Sequence, residues 1–292
     1  MLTALSEKGP SMSDLAAAGP TPQTFAGVGI TPRNIRFMKE LPAAATWLGG
    51  DRVATAVFNA LSLTFPDGER MFMDSVRNYK DQLSGQLLDD ANAFIAQEAI
   101  HTREHVSLNK IMEDGHYPLE KIRAHIKEQT KIAYDMGPIT MLAVTTALEH
   151  FTAMLGDYLL HDDTLISGAP EDVRRLWQWH ALEETEHKAV AYDVLLAVTA
   201  KWSRFARYRT RVHAMLLTTL DFIVHITMYA SMLLQADGMG RFESVRKVLW
   251  FLFGKPAFFR KGMRGYWNWY KPGFHPWQHD NRALAEHWRG LI

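Results

Sequence analysis

The sequence predicts an all-α protein, a bundle of four long helices with additional helices at its C-terminal end, and three observations carry that prediction. From Asp51 to about residue 236, apolar residues recur at three- and four-residue spacing. Strand-like alternation is scarce, with no Asn-Gly hairpin turn. Prolines and glycines fall where helices begin and end. The spacing places helices near 51–64, 66–82, 86–113, 119–135, 138–162, 171–200 and 204–236. Pro66, Pro118, Pro138 and Pro170 each stand where a helix can start, at a position whose N–H would lack a partner anyway. Gly115 and Gly137, shortly before two of those prolines, read as helix-ending glycines.

Composition narrows the class. With 292 residues, 47% hydrophobic and 22% charged, the chain can bury a substantial core, and the pattern favours a single helical domain over residues 35–292. Residues 1–34, rich in Ala, Gly, Pro, Ser and Thr, read as a mobile lead-in without the basic and apolar segments of a secretory signal, so a cytoplasmic location is expected. The absence of cysteine excludes disulfides, thiolate zinc sites, iron–sulfur clusters and cysteine nucleophiles, so a metal must be held by oxygen and nitrogen.

The zero net charge hides an asymmetry. Residues 201–271 hold thirteen Lys or Arg against Asp221, Asp237 and Glu243, a local excess of ten positive charges. Nucleic acid is not expected as a partner, because long apolar runs interrupt the charge and no nucleic-acid motif accompanies it. An acidic partner or a membrane surface fits better, the latter as peripheral contact with the inner membrane face through this basic, aromatic region. The apolar run Val212–Gln235 is interrupted by His213, Asp221 and His225 and reads first as a buried helix, second as a surface-lying amphipathic or hydrophobic contact and last as a membrane span, with Asp221 and His225 as a buried polar pair. Tyr266-Trp267-Asn268-Trp269-Tyr270 reads first as packing against the bundle and second as a headgroup contact. Nothing in the pattern specifies an oligomeric state.

Chemistry concentrates in four segments. At about 100° per residue, Glu98, His101 and His105 share one helix face, as do His180, Glu184 and His187. Glu104 and Glu186 turn away. A glutamate followed three residues later by histidine lets one helix offer an oxygen and a nitrogen to the same ion. Two such helices, joined by single glutamates from two others, form the carboxylate-bridged dimetal site of ferritin-like bundles. The order Glu69, Glu98/His101, Glu149, Glu184/His187 matches, and four carboxylates balance two divalent ions. Iron is the expected metal, with manganese as the alternative. His105 and Glu183 are expected beside the ligands, either binding metal or holding a ligating imidazole. His150, Trp177 and Trp179 read as packing residues.

These motifs carry two resemblances. Pro-Asp-Gly-Glu-Arg at 66–70, Gln-Glu-x-x-His with a following Glu-His at 97–105, Glu-His-Phe-Thr-Ala at 149–153, Trp-x-Trp-His-x-x-Glu-Glu-x-Glu-His-Lys at 177–188 and Pro-Gly-Phe-His-Pro-Trp at 272–277 together resemble a bacterial family of predicted metal-dependent hydrolases. That resemblance covers residue 30 to the end and implies hydrolysis. A narrower one, in His-x-x-x-Glu-x-x-His at 180–187, is similar to the last ligand helix of the di-iron p-aminobenzoate N-oxygenase type. It implies that His180 is a third imidazole ligand beside Glu184 and His187.

Three functional classes follow. The leading expectation is a di-iron oxygenase or oxidase acting with dioxygen on a small, apolar organic substrate. The alternative is a two-metal hydrolase, whose ions activate a hydroxide and polarise a carbonyl or phosphoryl group. The third is a non-enzymatic metalloprotein for iron binding or membrane docking.

Overall fold

The computed structural model describes residues 29–37, 45–113, 116–256 and 258–292, and there is no strand among them. Residues 1–28 of the expected lead-in and Gly115 lie outside the described residues. Residues 29–37 carry no helix and bury Phe37.

Helix α1, Arg52–Arg77, begins at Asp51, whose carboxylate accepts from the backbone N–H groups of Val53 and Ala54. It continues through Pro66, where the sequence predicts a new helix. Proline has no N–H, so the carbonyl of Ser62, four residues back, loses its helical partner. Asn109 of the neighbouring helix donates its Nδ2–H to that carbonyl at 2.9 Å. The substitute bond satisfies the orphaned acceptor, and the predicted helices 51–64 and 66–82 are one rod.

Helix α2, Gly85–Asn109, returns beside α1. Helix α3, Leu119–Asp135, occupies the connection to α4, Pro138–His161. Gly137 separates them at φ +87°, a left-handed conformation that glycine adopts without steric cost. Helix α5, Glu171–His187, and α6, Val190–Val198, replace the single helix predicted for 171–200. The break falls at Lys188 and Ala189, where the Lys188 ammonium turns inward to the His279 carbonyl at 2.7 Å and Asn281 Oδ1 at 2.6 Å. Helix α7 spans Arg204–Ala236. Beyond it, where no boundaries are predicted, lie α8 (Arg241–Leu249), a π-helical turn (Trp250–Gly254), α9 (Phe258–Trp269) and α10 (Arg282–Arg289).

Helices α1, α2, α4 and α5 form the four-helix bundle, and Phe58, Leu61, Phe94, Leu142 and Leu176 are buried in its core. Gly156 sets the approach of α4 to α5: a Cβ there would stand 2.9 Å from the Ala181 carbonyl oxygen, too close for any larger residue without separating the helices.

Helix α7 lies across α1 and α4 and carries α8. Pro138–His161 and Arg204–Ala236 are both long and apolar enough to cross a membrane by length and composition, but the apolar stretch of the first is 67% buried and that of the second 39%. The expectation that Val212–Gln235 is a buried helix is thus corrected, because its covering helices lie on one side. The Asp221–His225 pair forms at 3.0 Å with Asp221 half exposed, not buried. In the aromatic run, Trp269 is fully buried and its indole N–H donates to the Arg211 carbonyl at 3.2 Å, while Trp267 faces outward.

Candidate metal centre

All seven predicted ligand residues project into the bundle interior from its four helices. Glu69 comes from α1, Glu98 and His101 from α2, Glu149 from α4, and His180, Glu184 and His187 from α5, and every one is buried. Burying four carboxylates and three imidazoles is unfavourable unless something compensates.

Hydrogen bonding among them compensates only in part: His180 Nε2 meets Glu184 at 2.8 Å, and the other inward atoms are not so paired. His187 Nε2 lies 3.2 Å from Glu98, 3.3 Å from Glu149 and 3.5 Å from Glu184, yet it is aligned for a hydrogen bond with none of them. His101 Nδ1 is 3.8 Å from Glu98 and 3.6 Å from Glu184, equally without a bond. Among the described residues, fourteen buried side-chain N or O atoms lack a hydrogen-bond partner. Eight belong here: both oxygens of Glu98 and Glu149, one each of Glu69 and Glu184, His101 Nδ1 and His187 Nε2. Side chains that converge with this many inward atoms unbonded have the arrangement of ligands around a shared cation.

The donors divide into two poles. Glu98, Glu149 and His187 offer atoms within 4.8 Å of one another at one, and Glu69, Glu98 and His101 do so at the other. Glu98 belongs to both, and Glu184 approaches both His101 and His187. His180 differs from expectation. It groups with His101 and Glu184, its Nε2 is 2.8 Å from Glu184, and its ring stacks on His101 at 4.2 Å, so its cluster is not that of His187.

The surrounding hydrogen bonds decide which ring nitrogen faces inward. His187 Nδ1 donates to Gln97 Oε1 at 2.9 Å, and Gln97 is oriented by donating Nε2–H to Glu186 at 3.0 Å and to the Thr31 carbonyl at 3.3 Å. His101 turns its Nε2 to Glu183 at 3.1 Å, leaving Nδ1 toward the centre. Glu183, one of the two residues expected beside the ligands, therefore holds an imidazole.

His105, the other, is reached through a directional chain. The Pro66 defect frees the Ser62 carbonyl, that carbonyl fixes Asn109, and Ser62 Oγ donates to Asn109 Oδ1 at 2.7 Å. Ser62 must then accept from His105 Nδ1 at 2.9 Å, leaving His105 Nε2 to accept from His180 Nδ1 at 2.7 Å. Both nitrogens of His105 are engaged, and His180 turns its Nε2 to Glu184 at 2.8 Å.

Two distant segments complete this shell. Arg33, in the N-terminal stretch, donates to Glu183 at 3.1 Å and to Glu186 at 2.7 Å, and Arg289 of α10 donates to Glu186 at 2.7 Å. Thr102 donates to Glu69 at 2.8 Å. Aromatic rings form the walls: Phe65 lies against His105 and His180, Phe94 against His187, and Trp179 against His101. Sequence reading assigned no role to Ser62, Asn109, Thr102, Arg33 or Arg289.

Burial, reinforced by neighbouring carboxylates, lifts Glu69 and Glu98 far above the usual carboxylate range and pushes Glu149 up to about 7. Burial lowers His187, but Glu184 and Glu149 outweigh it and raise this imidazole well above its ordinary value, while burial opposes the histidine contacts that hold Glu184 ionised. His101 and His105 are driven low by burial and by neighbouring imidazoles. Burial thus favours the protonated forms of these acids unless cations balance them. His150, at the bundle edge, accepts no part in this: its Nε2 meets the Gly265 carbonyl at 3.1 Å.

An all-α bundle with a buried Glu/His cluster fed by four helices defines the class, a helical protein with a candidate metal centre. The chain belongs to the family described as predicted metal-dependent hydrolase, which it matches over residues 31–280. No curated protein and no solved structure matches it.

Proposed function

We propose that this protein is a two-metal enzyme whose ions would be held by Glu69, His101 and His180 at one pole and by Glu149 and His187 at the other, with Glu98 and Glu184 within reach of both. The observation that carries the proposal is the set of eight unpartnered donor atoms converging from four helices. Hard oxygen donors with imidazole nitrogen suit iron, with manganese as the alternative.

Four carboxylates cancel the charge of two divalent ions, which weakens them as Lewis acids and stabilises a higher oxidation state. On that ground we assign dioxygen-dependent oxidation of a small organic substrate, the metals supplying the redox chemistry. The protein's own part is to present His101 Nδ1, His180 Nε2 and His187 Nε2 unprotonated once loaded, to hold them through Glu183, His105 and Gln97, and to surround them with aromatic rings that keep bulk water out.

The family description favours a second reading, metal-dependent hydrolysis of an ester, amide or phosphoester bond. Anaerobic loading with ferrous iron followed by air separates the two. Oxidation predicts a new near-ultraviolet and visible band on exposure; a zinc-loaded protein that hydrolyses model esters or phosphoesters, together with an iron-loaded one that shows no band in air, establishes hydrolysis instead.

A further inference from the structure

The outer face of α7 breaks the usual rule for a helix on a protein surface. Phe205, Leu216, Leu217, Leu220 and Val224 are all exposed, Leu217 and Leu220 at 64% each. By helical geometry they share one side, with the exposed Arg209 and His213 standing between Phe205 and the patch Leu216–Val224. The stripe does not end with α7. Val224 lines a groove between α3, α7 and α8 together with Val245 and Leu249, and those two also line the adjoining groove with Phe242, Trp250 and Phe253. Phe242 is 90% exposed and Trp250 62%. Trp250 is held outward by packing over Gly254, where any Cβ would meet its indole at 2.4 Å. The result is an apolar surface running from Leu216 on α7 to Phe253, larger than scattered exposed hydrophobics account for.

Its charge selects the occupant. Arg241, Arg246 and Lys121 line the grooves against one carboxylate, Glu128, and α7, α8 and the π-helical turn lie within the segment that carries ten excess positive charges. A second copy of this chain meeting the same face across a two-fold axis would bring the two basic surfaces together. An anionic bilayer offers the opposite charge to the arginines and an apolar layer to the phenylalanine and tryptophan rings. We propose that this face, formed by α7, α8 and the π-helical turn, docks on the surface of an anionic membrane, with α7 lying in the interface plane. The bundle and its metal centre stay on the aqueous side.

The test is co-sedimentation of the full chain with vesicles of phosphatidylcholine alone and with phosphatidylserine added at about one part in four. The bound fraction should rise at least about tenfold with the anionic lipid and fall back on raising the salt. Changing Phe242, Leu220 and Trp250 together to Ser should reduce binding to the anionic vesicles by about tenfold or more, with iron loading unchanged. The pair Arg241→Glu and Arg246→Glu, which leaves the apolar face intact, should do likewise. Equal binding to both vesicle types, persistence at high salt, or absence of binding would overturn the proposal. So would a dimer in sedimentation velocity that the triple variant dissociates, since the face would then join two copies.

Discussion

The bundle interior and the outer face of α7 and α8 depart from ordinary protein construction in opposite directions. Inside, eight oxygen and nitrogen atoms of titratable side chains are buried without hydrogen-bond partners; outside, phenylalanine, leucine and tryptophan stand in solvent. Each is unfavourable for the isolated chain, and each becomes favourable when something binds: cations in one case, an apolar anionic surface in the other. The two regions should therefore respond independently. Substitutions in the interior should change metal loading and leave vesicle binding intact, and substitutions on the outer face should do the reverse.

The largest effect expected is at Glu98. Glu98→Ala removes an acid shared by both poles and should abolish stoichiometric iron binding while the helical circular dichroism is retained; full loading in this variant would refute its assigned position. Next comes the proton balance. Because Glu69 and Glu98 lie far above the usual carboxylate range, Glu149 near 7 and His187 well above its own ordinary value, they hold protons at neutral pH that metal must displace. Affinity should accordingly rise from about pH 6 to about pH 8, and calorimetry in buffers of different ionisation enthalpy should register proton release. A pH-independent affinity would contradict it.

Smaller changes should follow in the supporting shell. Gln97→Leu frees His187 Nδ1, and Asn109→Leu removes the group that polarises Ser62, His105 and His180; each should weaken metal binding by about ten- to a hundredfold without emptying the site. An unchanged affinity would mean that these bonds do not orient the imidazoles. The smallest effect is expected outside: Phe242→Ser should leave metal affinity unchanged and shift unfolding free energy by no more than about 0.5 kcal/mol. A larger loss in denaturant titration would show that Phe242 packs against the fold.

The all-α class and the ligand-bearing segments were legible because helical periodicity and the Glu-x-x-His step are local. The missed features are not local. Pro66 reads as a helix start, and only Asn109, 43 positions away, supplies the bond that lets α1 pass through it. Arg33 and Arg289 come from opposite ends of the chain to the same glutamate, with no spacing to announce them. His180 follows the helical face it shares with Glu184 and His187, yet its ring tilts toward His101 because His105 accepts its Nδ1–H. The exposure of α7 depended on which sides its neighbours leave open, and apolar composition alone reads the same for a covered helix as for a bare one.

The central claim, that donors from four helices share two cations, is tested most directly by anaerobic ferrous titration of metal-free protein with the bound iron counted. Saturation at two ions per chain in the native protein, lost in Glu98→Ala and Glu184→Ala, is the predicted result. Saturation at none or one, or two ions retained in both variants, would contradict it.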